Sequence, residues 1–545
     1  MLANQWILQV CHFKAALSFM SYAINRILAC SSLSAAVVIR NRPRPANPVP
    51  VTLPLTLEKP PAKSNAKVSH SSFTAYQEAR ARAFSGLVPA LREDAAAPPE
   101  RLLQAVWFHQ RLLRDKFVTL DGTKVQALHP GFWNHESGPD FRGAVLQFAG
   151  EAPRSGDVEI DLHSSGWRGH GHDRNPAFQK VALHVVWEGE GNSSLPTLRI
   201  KSLLDSPLSE LALWFGAFPA RSLSEAPAGQ CRAPLRELSA ADLAELLHQA
   251  ALLRLHFKGL HLQARARQAG WELALWEGLF RALGYKQNLW PMQRLAELQP
   301  RWNPGNTRFG PLVLQSRLLG IGGLLPTELP RAAAAADDYV RRLWDFWWRE
   351  RDAFNDCAMP RQVWRFSGLR PANHPQRRLA LASRWLAAGG LPAQLQSWSR
   401  HDTPATQLVP SLLETMRVTP DEFWSWHWTL RSKRLSRPQP LIGAARVTDL
   451  AMNAVLPWLW IRAGEAKNEA LKSELERKYL AWPPAEDNAV LRLARQRLLG
   501  GASAKALRGA AAQQGLLQIV RDFCEPSDAL CTRCQFPELV RRWKG

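Results

Sequence analysis

The segment Val158-Glu159-Ile160-Asp161-Leu162-His163 sets three metal-competent side chains at alternate positions. Side chains alternate across a strand, so Glu159, Asp161 and His163 share one face while Val158, Ile160 and Leu162 share the other. Asp140 precedes this segment in Gly138-Pro139-Asp140-Phe141, and His170, His172 and His184 follow it. Paired carboxylates hold divalent ions such as Mg²⁺ or Mn²⁺, which polarise a phosphodiester and supply hydroxide near neutral pH. On this chemistry Asp140 and Glu159 are expected to bind metal and take part in catalysis, with Asp161 or His163 positioning water. His170 and His172, spaced His-x-His, either ligate a metal together or line a glycine-rich loop. His184 alternates with Leu183 and Val185, which turns it toward the acids and adds it to the ligand set; a lone strand histidine is more often a hydrogen-bonded structural group. An acid after Gly-Pro is likewise often a turn or cap residue, so the density of the cluster is what favours a site.

The elements that must carry these residues can be read from periodicity. Residues 102–114 predict an amphipathic helix, and strands follow over 124–128, 141–148, 157–163 and 181–187, with a loop and short helix across 165–180. Residues 96–235 thus take the order α-β-β-β-α-β. From Ser239 onward, windows rich in Ala, Leu and Arg at 240–268, 271–283, 311–319, 337–351, 377–388 and 410–418 predict helices without a fixed repeat. The expected fold class is α+β/α: a nuclease-like N-terminal domain, a large irregular all-α domain over 236–520, and a cysteine-containing tail over 521–545.

With an acid opening the second strand and Glu-x-acid in the third, this order resembles the PD-(D/E)XK, or restriction-endonuclease-like, superfamily. The resemblance implies that Asp140 is the metal-binding Asp and Glu159 the second acid. Where that pattern has Lys the chain has Asp161, and His163, Arg168 and Lys180 are the nearest cations. A longer set of residues resembles the signature of an uncharacterised bacterial family, a domain of unknown function: Pro130-Gly131, Asn134, Gly138-Pro139-Asp140-Phe141, Gly156-Asp157-Val158-Glu159-Ile160, His163, Trp167, His170-Gly171-His172 and Leu183-His184-Val185-Val186. That likeness runs from about residue 100 through Arg370-Pro371-Ala372-Asn373, Asn453 and Pro457, and implies no activity.

The chain has 545 residues, 46% of them hydrophobic, enough for more than one core, and a net charge of +22. Basic side chains that neutralise phosphates release counterions, so DNA or RNA is the expected partner, although the charge is spread along the chain and largely Arg. The 23 tryptophans often adjoin arginines, as in Trp347-Trp348-Arg349, Trp364-Arg365 and Phe423-Trp424-Ser425-Trp426. Such pairs stack on bases or, as commonly, pack helices together. Arg168, Arg370, Arg377 and Arg378 are expected to contact nucleic acid, the last three from a polar knot that could equally brace an interface. The leading expectation is a metal-dependent nuclease. The alternative is a nucleic-acid-binding or assembly protein whose nuclease-like fold has lost catalysis, and a third reading is a transition-metal hydrolase using His163, His170, His172 and His184.

Three of the seven cysteines close the chain as Cys524-x6-Cys531-x2-Cys534. The spacing resembles the first three ligands of the iron–sulfur loop of endonuclease III-type DNA glycosylases, where a fourth Cys follows five residues later; here Val540 stands there. Zinc or an iron–sulfur cluster is expected, with a fourth ligand from Cys231, Cys357 or a histidine and sulfurs converging to about 4 Å. Dispersed single cysteines elsewhere predict a reducing, cytoplasmic setting. Residues 1–95 are expected to form a disordered or unreliably placed N-terminal extension, most of 1–71 above all, with no apolar run long enough to span a membrane and no ordered secretory signal.

Overall fold

Strands that alternate apolar and polar residues form one mixed sheet in the computed structural model, which describes residues 74–84, 98–134, 136–190, 195–215, 229–305, 308–328, 337–500, 509–524, 531 and 534–543. The expectations for residues 1–73 and 85–97 lie outside the described residues. The strands are β1 (Val125–His129), β2 (Phe132–Trp133), β3 (Phe141–Phe148), β4 (Arg154–His163), β5 (Val181–Glu188) and β6 (Thr197–Arg199). Their order is β1-β3-β4-β5-β6, with β2 paired to β3. The pairs β1–β3 and β3–β4 are antiparallel, whereas β4, β5 and β6 are mutually parallel. A parallel pair needs a crossover, and residues 164–180 supply it between β4 and β5. Register places Glu159 opposite His184, so the crossover puts an acid and an imidazole on adjacent strands. β2 and β6, of two and three residues, escape a period-two reading because they are too short to show the period.

Val158 and Ile160 are fully buried, as the alternation predicts. They pack with Phe141, Leu183 and Val185 against Leu103, Val106 and Trp107 of the helix Glu100–His109. That helix stops short of the expected residue 114 because Gln110 adopts a left-handed conformation, φ 52°. The opposite face of β4 is covered too: Trp167, Phe178 and Val181 form a small second core from the crossover and β5. Glu159 and Asp161 are buried between the sheet and this cover rather than lying on an open surface.

The helical region begins where expected. Ser239 Oγ accepts from the Asp242 amide at 3.1 Å and caps Ala240–Ala269, the long helix around which the others gather. Trp271–Gly284, Pro311–Ile321, Asp337–Glu350, Pro375–Ala388 and Leu408–Thr415 match the remaining predicted windows within a few residues. The chain is therefore α+β, a mixed sheet followed by a large helical region, and residues 69–545 make up one compact unit. One expectation fails at the N-terminal side. Within the stretch read as an extension, Thr74–Phe84 is a helix whose Tyr76 is fully buried, with its hydroxyl 3.0 Å from Asp522 and Arg80 Nε 2.9 Å from the same carboxylate. Its mean sequence pattern is weakly amphipathic, so its burial arises from these tertiary partners rather than from an apolar stripe. Among the described residues no helix is long and apolar enough to cross a membrane.

Candidate metal centre

β4 ends by delivering Asp161 into the space under the crossover. There the chain turns through the short helix Gly166–Gly169, whose start has no space for a side chain unless Asp161 moves: a Cβ at position 166 would sit 2.6 Å from Asp161 Oδ1. Gly166→Ala is accordingly expected to displace the Asp161 carboxylate and lower stability by about 1–3 kcal/mol, read in a urea melt. The turn continues through Gly171, whose φ of 72° suits glycine and lets His170 and His172 face the same side. Their rings lie 5.4 Å apart.

Asp161, His170 and His172 each offer a ligand atom, and these atoms all lie within 4.8 Å of one another. Asp161 Oδ1 is 3.2 Å from His170 Nδ1, close to the separation of about 3 Å that two ligands adopt around one ion at bond lengths near 2.1 Å. His172 stacks face to face on Phe178 at 4.0 Å, which fixes its ring. Its Nδ1 is buried without a hydrogen-bond partner and lies 3.5 Å from Glu159 Oε1. Burial lowers the His172 pKa from its ordinary value, so the ring is neutral at pH 7 and that contact is not an ion pair. A neutral imidazole with a bare inward nitrogen is the form a metal needs. The His170 side chain is 58% exposed, leaving one side open to solvent.

The remaining residues surround this triad. His184, fully buried, sets Nε2 2.8 Å from Asp161 Oδ2 and so orients the carboxylate from the neighbouring strand. Through Nε2 His184 orients Asp161, and it is not among the ligand atoms that converge within 4.8 Å. Asp140 is tied down at both oxygens, Oδ1 by Gln104 Nε2 at 2.8 Å and Oδ2 by the Ile160 amide at 3.1 Å, while its own amide donates to Glu159 Oε2 at 3.1 Å. Asp140 and Glu159 are thus joined through the Asp140 amide. Burial foremost, then the Glu100 charge, raises the Asp140 pKa to about 7. Burial foremost, then Asp140, raises Glu159 to about 9. Asp161 joins the two histidines rather than completing the Asp140/Glu159 pair. His163, on the same strand face, lies farther out, exposed and bonded to Ser165 Oγ at 2.8 Å, so it does not join them.

Sequence reasoning missed Glu100 and Gln104. They sit one helical turn apart, Gln104 donating to Glu100 at 3.3 Å, and Glu100 is close enough for the Asp161 charge to raise its pKa after burial itself. The signal was the polar pair interrupting an otherwise apolar helix face.

The arginines divide. Arg168 and Lys180 are exposed and form no ion pair with these acids among the described residues. Arg370 is exposed and pairs with Glu486 at 2.8 Å. Arg377 and Arg378, expected to hold nucleic acid, are buried instead: Arg377 donates to the carbonyls of Trp424, His427, Gln439 and Pro440, and Arg378 to the Leu441 carbonyl and Asn373. They brace the 424–441 segment because a charged fork can satisfy several carbonyls that no helix or strand uses. Arg377→Ala is expected to cost about 3–5 kcal/mol of stability, measured by denaturant unfolding, since it strands these carbonyls in the interior. Of the aromatic clusters, Trp364 and Trp424 are core, whereas Trp344, Trp347 and Trp348 line a groove of about 1090 Å³ together with Arg351, Arg361 and Lys433. Trp344 and Trp348 stack at 4.6 Å, and the Arg351 guanidinium lies 3.4 Å over Trp348.

The fold and pocket define an α+β protein with a histidine–carboxylate centre competent to hold a metal. Within that class the chain belongs to the family described as protein of unknown function DUF2851, whose profile matches residues 100–489. No curated protein and no solved structure matches the chain, and the likeness to the PD-(D/E)XK superfamily is not confirmed.

Proposed function

We propose that the pocket is a metal-dependent hydrolytic centre acting on phosphodiester bonds of nucleic acid, with Asp161, His170 and His172 as the ligands. The observation that carries this reading is the convergence of one carboxylate and two imidazoles within 4.8 Å, open to solvent on the His170 side. Three protein ligands with an accessible remaining position are what a catalytic, as opposed to a structural, metal site requires. Two nitrogens and one oxygen suit Zn²⁺, Mn²⁺ or Fe²⁺ better than Mg²⁺, which favours oxygen donors. Such an ion lowers the pKa of a bound water toward neutrality. Glu159, beside His172, holds its own proton at neutral pH, its pKa raised to about 9, and would accept one from that water only where a bound cation favours its ionised form; Asp140 and Gln104 hold the end of the strand that carries it. The phosphodiester assignment rests on the net charge of +22 and on the aromatic, basic groove, whose stacked rings and cations suit unpaired bases and phosphates.

A second reading, nucleic-acid binding without cleavage, is favoured by one detail: both Asp140 oxygens are already engaged by protein donors, as in a structural carboxylate. The two are separated by incubating the metal-loaded protein with labelled single- and double-stranded DNA and RNA. Cleavage that requires Mn²⁺ or Zn²⁺ and disappears in Asp161→Asn supports the hydrolase. Retention of all four substrates intact, with measurable binding, supports the second reading, and neither binding nor cleavage defeats both.

A further inference from the structure

The C-terminal cysteines do not stand alone in the fold. Cys231, nearly three hundred residues earlier in the chain, is brought to the same place as Cys524, Cys531 and Cys534, and the four line one small cavity beside Arg497. The helix Arg232–Glu237 starts at Cys231 and packs against both Ala489–Leu499 and Phe536–Arg541, which is how the early thiol meets the late ones. Cys357, the other thiol weighed as a partner, is buried elsewhere, with its Sγ on the Phe354 carbonyl at 3.4 Å.

We infer that Cys231, Cys524, Cys531 and Cys534 form a four-thiolate site for a thiophilic metal, either a zinc ion or an iron–sulfur cluster. Four cysteines from three separate segments line one cavity, a density of thiols that packing alone does not call for. Their surroundings are those of a ligand set. Gly229 keeps the approach clear, since a Cβ there would come 3.2 Å from Cys231 Sγ and 3.5 Å from Cys531 Sγ. Arg497 Nη2 lies 3.8 Å from Cys531 Sγ and supplies positive charge against a thiolate cluster. None of the four appears in a group of three ligand atoms within 4.8 Å of one another among the described residues, where only the Asp161 triad does. The close convergence expected for zinc, sulfurs about 3.8 Å apart around bonds near 2.3 Å, is therefore not present in this arrangement, and the cavity the four line is only about 10 Å³, so a bound metal would have to shift the sulfurs to its own spacing.

The test is metal and sulfide analysis of the full chain, purified with and without oxygen, in a His172→Ala background that removes the acid-pocket ligand. About four irons with matching sulfide and absorbance near 400 nm identify a cluster, and about one zinc identifies a single ion; either result supports the site. Cys231→Ser is expected to reduce that metal more than tenfold, and Cys357→Ser to leave it unchanged. Should Cys231→Ser fail to fold, alkylation of the parent protein decides: the four thiols are expected to be protected until a chelator is added. Metal-free protein from both preparations, with the four thiols freely alkylated or joined as disulfides in the folded state, overturns the inference. Absence of cleavage by the parent protein, with this metal intact, would count against the hydrolase alone.

Discussion

His172→Ala is expected to lower affinity for Mn²⁺ or Zn²⁺ by at least about 100-fold in calorimetric titration, and to remove any metal-dependent cleavage with it. The size follows from the ligand's preparation. The ring is locked on Phe178 at 4.0 Å, it is neutral at pH 7, and its inward nitrogen has no other partner, so little is spent in organising it. His184→Ala gives the control. It withdraws the 2.8 Å contact that orients Asp161 together with a ring packed on Trp167 at 5.6 Å, and the loss should fall nearer the roughly 10–100-fold range of outer-sphere partners. Equal effects from the two substitutions would mean that His172 is structural. His163→Ala, at an exposed residue bonded to Ser165, should change metal affinity less than twofold.

The Asp140/Glu159 pair gives a stability effect of comparable weight. Both carboxyls bind protons more tightly in the folded chain than unfolded, with pKa values raised to about 7 and about 9. Folding therefore loses stability as pH rises from the ordinary carboxyl range through those values, because above them buried charge must be tolerated. Glu159→Gln keeps the acceptor for the Asp140 amide and removes one of the charges. The metal-free variant is expected to be more stable than the parent by about 1–3 kcal/mol at pH 9, with the difference vanishing near pH 4. Denaturant melts across that range measure it. Saturating Mn²⁺ should raise the parent's melting temperature more at pH 8 than at pH 6, since a cation beside these acids favours their ionised forms. A variant less stable than the parent at pH 9 would show that the pair is held by hydrogen bonding rather than strained by charge.

Much of the scaffold could be read from the chain because its signals were local. Alternation in Val158–His163 fixed the strand and its two faces, and Ser239 with Asp242 fixed the start of the long helix. The composition of the site depended on pairings that periodicity does not encode. The register that sets Glu159 opposite His184, and the turn at Gly166 and Gly171 that swings two imidazoles toward β4, put Asp161, rather than Asp140 or Glu159, in the triad with His170 and His172. Arg377 and Arg378 look in sequence like any exposed basic pair; only the carbonyls of residues 424–441, folded against them, reveal their use. The cysteine pocket was half visible. Three thiols advertised themselves by spacing, while Cys231 was one of several singletons until the helices that join it to the tail were in place.

The contact between Thr74–Phe84 and Asp522 bears on where the protein may be trimmed. The recognised family stretch opens at residue 100 and closes at 489, yet the folded body overruns it at both ends. Cutting to the limits of sequence likeness at the front alone would take Tyr76 and Arg80 from a carboxylate that is 1% exposed, leaving it Gln518 at 3.0 Å. Cutting at the back would remove Asp522 and three of the four thiols together. Fragments drawn to those borders are expected to report poor solubility as a property of the family when it belongs to the cut.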